Sequence, residues 1–133
     1  MLLVKTFVAS SKTQGQGLFS SQNIKKGTVT WRFDPNIDKE YAIDEFEKLP
    51  DQEKNYVQHH AVLSKLSNKY ILSTDNAQFT NHSSNPNLET LEEDGQVELI
   101  ARAKRDIHEG EEMTIDYRLM DKNDEYSDEE YLK

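Results

Sequence analysis

The residues best suited to chemistry stand together in the run Phe79-Thr80-Asn81-His82-Ser83-Ser84-Asn85-Pro86-Asn87. Amide, imidazole and hydroxyl side chains follow one apolar anchor, and a proline sets the direction in which the chain leaves. Taken singly, Asn, Ser and Pro describe a surface turn, because Asx and hydroxyl side chains cap nearby backbone and Pro presets φ. Two other features give the run a different meaning: Gly15-Gln16-Gly17 well before it and Asp116-Tyr117 after it. Paired glycines serve ordinary turns, but they also let a ligand approach the backbone closely, as a nucleotide-like cofactor requires. They are not a dinucleotide-binding fingerprint, since the third glycine is missing and the residues after Leu18 do not read as a helix. Tyr117 follows Met113 and Ile115 in an alternating pattern. It reads either as a packed core tyrosine or as a buried phenol that orients a nucleophile by hydrogen bonding. No metal site is expected, because His59 and His60 are adjacent, His82 and His108 lie far apart, and no H-x-x-x-H pair exists.

Composition narrows what these groups can do. A chain of 133 residues fits one domain with a real core. With no cysteine there is no disulfide, thiolate zinc site or cysteine nucleophile, so chemistry must come from oxygen and nitrogen side chains or from a bound cofactor. The net charge of -9 argues against direct binding of nucleic acid, which leans on clustered Lys and Arg, and favours a basic protein partner. No stretch approaches the roughly 18 apolar residues of a membrane span, and Met1-Leu2-Leu3-Val4-Lys5 lacks the features of a secretion signal. The expectation is a soluble, cytoplasmic protein without membrane contact, with the nucleus or a host cell left open and the oligomeric state undetermined.

The elements that must position these residues are mostly strands. Met1 to Ala9 is rich in β-formers, Thr28 to Phe33 is β-branched and aromatic, and Tyr70-Ile71-Leu72 reads as a short strand. Leu88 to Leu91 and Val97 to Ala103 read as a hairpin turned by Asp94-Gly95, and Glu112 to Tyr117 as a last strand. Helical spacing is confined to residues 38–65, where Pro50-Asp51 interrupts it. The fold class is therefore mainly β, several small sheets around a short helical insert. Residues 1–120 form the domain, and residues 121–133 an acidic tail or a lid ordered by a ligand.

In order and spacing, four blocks resemble the SET-domain protein lysine methyltransferases: Gly15-Gln16-Gly17-Leu18-Phe19 with Ile24 to Gly27, Tyr70 to Phe79, Asn81-His82-Ser83 with Pro86-Asn87, and Ala103 to Tyr117. The resemblance covers roughly residues 3–117 and fits a minimal, stand-alone type of bacterial or viral character. It implies a β-clip-like fold with a C-terminal pseudoknot, S-adenosyl-L-methionine held by Gly15, Gln16, Gly17, Leu18, Phe19, Asn81 and His82, and Tyr117 as the catalytic residue. A substrate channel walled by Tyr70, Phe79 and Ile115, with Trp31 a further candidate, would receive a lysine of a basic protein. Core packing is the competing role for these aromatic residues. The sulfonium of the cofactor is already activated, so alignment and a neutral amine are what such a protein must supply. An apolar channel favours that amine by desolvation. Gln78 stands where many members have arginine, Ser84 where cysteine is common, and the cysteine-rich zinc segments are absent. Completing the channel would fall to Arg118 through Lys133, with Tyr126 and Tyr131 over the adenine and Asp121, Asp124, Glu125, Asp128, Glu129 and Glu130 drawing in a basic substrate. The alternative is a catalytically inactive SET-like module that binds a basic protein through its acidic surface.

Overall fold

Two short strands at the N-terminus, β1 (Thr6–Ser10) and β2 (Gln16–Ser20), pair antiparallel with Phe7 opposite Phe19 and Ser10 opposite Gln16. The loop between them closes on a hydrogen bond from the Ser11 N–H to the Gly15 carbonyl, 2.7 Å, with Gly15 at φ +47°. That left-handed conformation is the reason a glycine stands there. The structure is a computed structural model and describes residues 1–122. The segment before β1 is not continuous strand; Leu2 makes only an isolated bridge to Trp31.

A second sheet has the order β3 (Val29–Trp31), β9 (Ile100–Ala103), β8 (Leu88–Leu91), all antiparallel. The hairpin expected between β8 and β9 is present, with Leu88 opposite Ala103 and Leu91 opposite Ile100. Its connection runs over residues 92–99 rather than through a tight Asp-Gly turn. Val97 is 65% exposed, so the chain has no apolar reason to pair until Ile100, which is buried.

Residues 38–65 are only partly helical. They hold β4 (Asp38–Tyr41), helix α1 (Ile43–Glu47), helix α2 (Asp51–His60) and β5 (Val62–Leu63). Strands β4 and β5 flank β6 (Tyr70–Ser73) in a third sheet of order β4-β6-β5. The apolar, buried β6 needs backbone partners on both edges, and supplying them outweighs the helical spacing at either end of the insert. Pro50 precedes α2, where its preset φ suits the first turn and its missing N–H breaks no helical bond. Phe46, Val57 and Ala61 from the helical region pack on Tyr70 and Leu72 as one core. The larger core joins Leu18, Ile24, Leu88, Ala101, Ala103, Ile107, Met113 and Ile115.

The fourth sheet holds the polar run. Asn81–His82 (β7) pairs parallel with Thr114–Ile115 (β10), Asn81 opposite Thr114 and His82 opposite Ile115. The last strand is shorter than its sequence suggests. Tyr117 does not continue β10 but opens a 3-10 turn, Tyr117–Leu119, whose first N–H groups are capped by the Asp116 carboxylate accepting from Arg118 N at 3.0 Å. No helix among the described residues is long and apolar enough to cross a membrane.

Candidate functional site

Parallel pairing brings residues distant in sequence onto one spot. The Asn81 side-chain amide donates to the carbonyls of Gln14 and Gln16 and to Glu112 Oε2, each at 3.0 Å. Glu112 in turn accepts from Ser11 Oγ at 2.8 Å. The hairpin of β1 and β2, the polar run and the chain entering β10 are thus joined through one amide and one carboxylate. Gly17 lies against this junction, and a Cβ built there would sit 2.5 Å from Glu112 Oε2. Glycine at 17 leaves room for the Glu112 carboxylate, which any larger residue would have to displace; backbone conformation does not call for it.

Asn87, 2% exposed, holds the other side of the entering chain. Its Nδ2 donates to the Glu112 carbonyl at 2.7 Å and to Glu111 Oε2 at 3.0 Å, and its Oδ1 accepts from Thr114 N at 2.9 Å. Burial disfavours charge on Glu111, but hydrogen bonds from Arg105, the His108 N–H and Asn87 hold its carboxyl below the usual value.

His82 and Tyr117 follow from the same pairing. The Tyr117 N–H donates to His82 Nδ1 at 3.1 Å, which assigns that nitrogen as an acceptor. The two rings lie 5.5 Å apart at 57°, and Asp116 Oδ1 is 3.6 Å from the same nitrogen. Arg118 forks onto Asp116 through Nε and Nη2, both at 3.0 Å. These hydrogen bonds, acting against burial, lower the Asp116 pKa, and the same carboxylate raises that of Arg118. The Tyr117 hydroxyl donates to the Thr80 carbonyl.

Tyr117 also lines a cavity of about 320 Å³ whose walls include Leu18, Thr80 and Ile115. Of the residues expected to wall a channel, Ile115 and Trp31 line it and Tyr70 does not. Strand β6 alternates faces: Tyr70 and Leu72 turn toward Phe46, with the Tyr70 and Phe46 rings 4.3 Å apart, whereas Ile71 and Ser73 face the cavity. Phe79 is half-buried in a 3-10 turn, Asn76–Phe79, and it is the neighbours Ala77, Gln78 and Thr80 that reach the wall.

Among the residues expected around a cofactor, Gly15 and Gln16 are exposed, Gly17 and Leu18 are buried, and Phe19 stacks on Phe7 at 5.4 Å. Asn81, Gln16 and Gly17 are brought together directly, and His82 continues the strand from Asn81 to Tyr117. Glu112 and Asn87 are the functional neighbours that sequence reasoning missed. Asn87 stands in the block Asn81-His82-Ser83 with Pro86-Asn87, which was the available signal for its role; Glu112, among the acidic residues Glu109, Glu111 and Glu112, gave none. No group of three or more His, Cys, Asp or Glu among the described residues is arranged to hold a metal ion. Asp121 and Lys122, the first residues of the expected tail, dock on the insert through the Ser64 bridge and a 2.9 Å bond from Lys122 N to the Leu63 carbonyl. Tyr126, Tyr131, Asp124, Glu125, Asp128, Glu129 and Glu130 lie outside the described residues.

The comparisons with known proteins agree with this architecture. A family model described as SET domain matches residues 15–118. The chain is 31% identical over 115 residues to histone-lysine N-methyltransferase trr of Drosophila melanogaster, covering 85% of this chain and 5% of that protein. It is 28% identical over 123 residues to the H3 lysine-4 specific histone-lysine N-methyltransferase of Schizosaccharomyces pombe, covering 86% of this chain and 13% of that one. The chain thus spans a small part of these relatives. The Neurospora SET domain protein DIM-5, a histone lysine methyltransferase, superimposes with a TM-score of 0.60 at 19% identity, over 87% of this chain and 53% of the other.

Proposed function

The chain belongs to the SET-domain family, and from that premise we propose that it is an S-adenosyl-L-methionine-dependent protein lysine N-methyltransferase, with a lysine of a basic protein as substrate. The observation that carries this reading is the continuity of one short path. Asn81 is fastened to the β2 backbone, His82 follows it in β7, and Tyr117, held by His82, lines the cavity.

The residues present fit the cofactor. The Asn81 amide nitrogen is committed to three acceptors, and its Oδ1 has no partner among the described residues, which leaves it able to accept from an ammonium group. A Cβ at Gly15 would meet nothing within 4 Å, so the backbone of the loop is open on that side. S-adenosyl-L-methionine, when bound, supplies a methyl group already activated on a sulfonium sulfur. The rest falls to the chain. Leu18 and Ile115, both buried, give the cavity an apolar wall that disfavours a charged amine and excludes water. The Tyr117 oxygen, positioned by the Thr80 carbonyl, can accept a hydrogen bond from the amine and orient its lone pair. The pseudoknot that the family resemblance implies is supported by the parallel register of β7 and β10.

Titration calorimetry with the cofactor, followed by mass spectrometry of lysine peptides incubated with it, tests the proposal. Binding together with mass gains of one methyl group or more on lysine is expected. Absence of binding at millimolar cofactor would overturn it, and binding without transfer to any peptide would favour an inactive module.

A further inference from the structure

Three buried side-chain atoms that lack a hydrogen-bond partner among the described residues belong to residues lining the same cavity: Thr30 Oγ1, Trp31 Nε1 and Glu98 Oε2. Glu98 is 3% exposed, and its Oε2 has no hydrogen-bond partner among the described residues. A buried carboxylate without a partner is costly, and three orphaned groups around one space mark a place where something else supplies the partners.

The chemistry of the lining says what that is. Glu98 and Asp121 are the carboxylates of the wall, which also holds His59 and His60 and, among the described residues, no Lys or Arg. Asp121 already accepts from the Leu63 N–H, so Glu98 is the carboxylate that calls for a partner. A carboxylate in a low-dielectric wall attracts a positive group. The occupant facing Glu98 is therefore a cation. It is not the amine to be methylated, since a carboxylate beside that amine would raise its pKa and hold it in the unreactive ammonium form. The target amine belongs with Ile115, Thr80 and Tyr117.

We infer that Glu98 determines specificity by receiving a second basic side chain of the substrate, an arginine close in sequence to the target lysine, while Trp31 Nε1 and Thr30 Oγ1 hydrogen-bond the substrate backbone. Arginine suits the place better than lysine, because its planar fork engages both oxygens of a carboxylate and is less strongly hydrated. The indole N–H is a donor only and calls for a carbonyl; the hydroxyl serves a carbonyl or an N–H. This inference rests on the methyltransferase reading above.

Alanine-based peptides with one central lysine and a single arginine at each of the three positions on either side, paired with the same peptides carrying citrulline, provide the probe. Calorimetry in the presence of S-adenosylhomocysteine gives the affinities, and mass spectrometry of the same peptides with the methyl donor gives transfer. At least one arginine peptide should bind about tenfold tighter than its citrulline twin, and Glu98→Gln should bring the pair within about twofold. Glu98→Asp, still charged but shorter, should keep part of the preference and serves if Glu98→Gln does not fold. Methylation with no arginine preference at any position, or a preference that survives Glu98→Gln, overturns the inference and leaves the methyltransferase reading standing. Absence of both cofactor binding and methylation overturns that reading and this inference with it.

Discussion

Replacing Gly17 with alanine isolates the junction that joins the hairpin, the polar run and the last strand. The backbone at 17 is not in the left-handed region, so alanine is conformationally acceptable and by itself would stabilise by about 0.4–1 kcal/mol through the unfolded chain. The added methyl meets Glu112 Oε2 at 2.5 Å and Cδ at 2.9 Å, well inside ordinary contact. Glu112 can escape only by leaving Ser11 Oγ and the Asn81 amide. Hydrogen bonds to a charged group contribute about 1.5–3 kcal/mol each when lost from a closed site. Partial exposure of this one puts the net cost of Gly17→Ala at roughly 1–2 kcal/mol, or about 5 °C in the melting midpoint of a domain this size. In a Glu112→Ala background the overlap disappears, only the Ser11 Cβ at 3.2 Å remains close, and Gly17→Ala becomes neutral or slightly stabilising. Urea unfolding of the four proteins of this cycle gives the interaction energy, expected at about 1.5–2.5 kcal/mol. Equal losses from Gly17→Ala in both backgrounds would refute the steric account, and the alanine variant should also bind cofactor more weakly because Asn81 keeps only two of its three acceptors.

Other expectations test separate contacts. Tyr117→Phe removes the hydroxyl and should lower single-turnover methyl transfer by roughly 100-fold or more while leaving cofactor affinity within about twofold; unchanged turnover would exclude the assigned role. Asn87→Ala strands the Thr114 N–H and the Glu112 carbonyl in a buried site and should cost about 3 kcal/mol in denaturant unfolding. Asn87→Asp should be at least as damaging, because it sets a second carboxylate against Glu111 Oε2. The Arg118 fork lowers the Asp116 pKa below its ordinary 3.8, so its stabilisation is present above that value and lost as pH falls through the lowered one. Arg118→Ala should therefore be less stable than the parent near neutrality, with the gap closing in acid; a gap independent of pH would exclude the linkage.

What the sequence revealed of the site came from the order and spacing of four blocks, because side-chain type alone fits a surface turn and a packed core tyrosine equally well. Asn81 and His82 reach Tyr117 because β7 pairs parallel with β10, and strands of two residues carry no alternation from which that register could be read. Tyr70 was legible as a buried aromatic residue but not as one facing Phe46. A strand buried on both faces carries no polar alternation to say which face meets which core, and there a shift of one residue exchanges Tyr70 for Ile71. The ends of the helical insert were misread for a related reason: Asp38 to Tyr41 and Val62-Leu63 are drawn into strands by the needs of β6, a partner elsewhere in the chain. Glu98 was invisible because a lone glutamate beside an exposed valine resembles any solvated loop residue.

The Asn81 junction also sets the order in which the molecule can come into being. Its bonds to Gln14 and Gln16 span 67 and 65 positions, and His82 receives the Tyr117 N–H across 35. Contacts this remote carry a loop-closure cost that delays them, and parallel pairing of β7 with β10 adds to it. On a growing polypeptide the hairpin and the helical insert can gather first, yet neither end of the site is complete until Tyr117 has been synthesised and threaded into place. The junction is therefore expected to close late, and in stopped-flow refolding cofactor binding should lag behind the recovery of secondary structure.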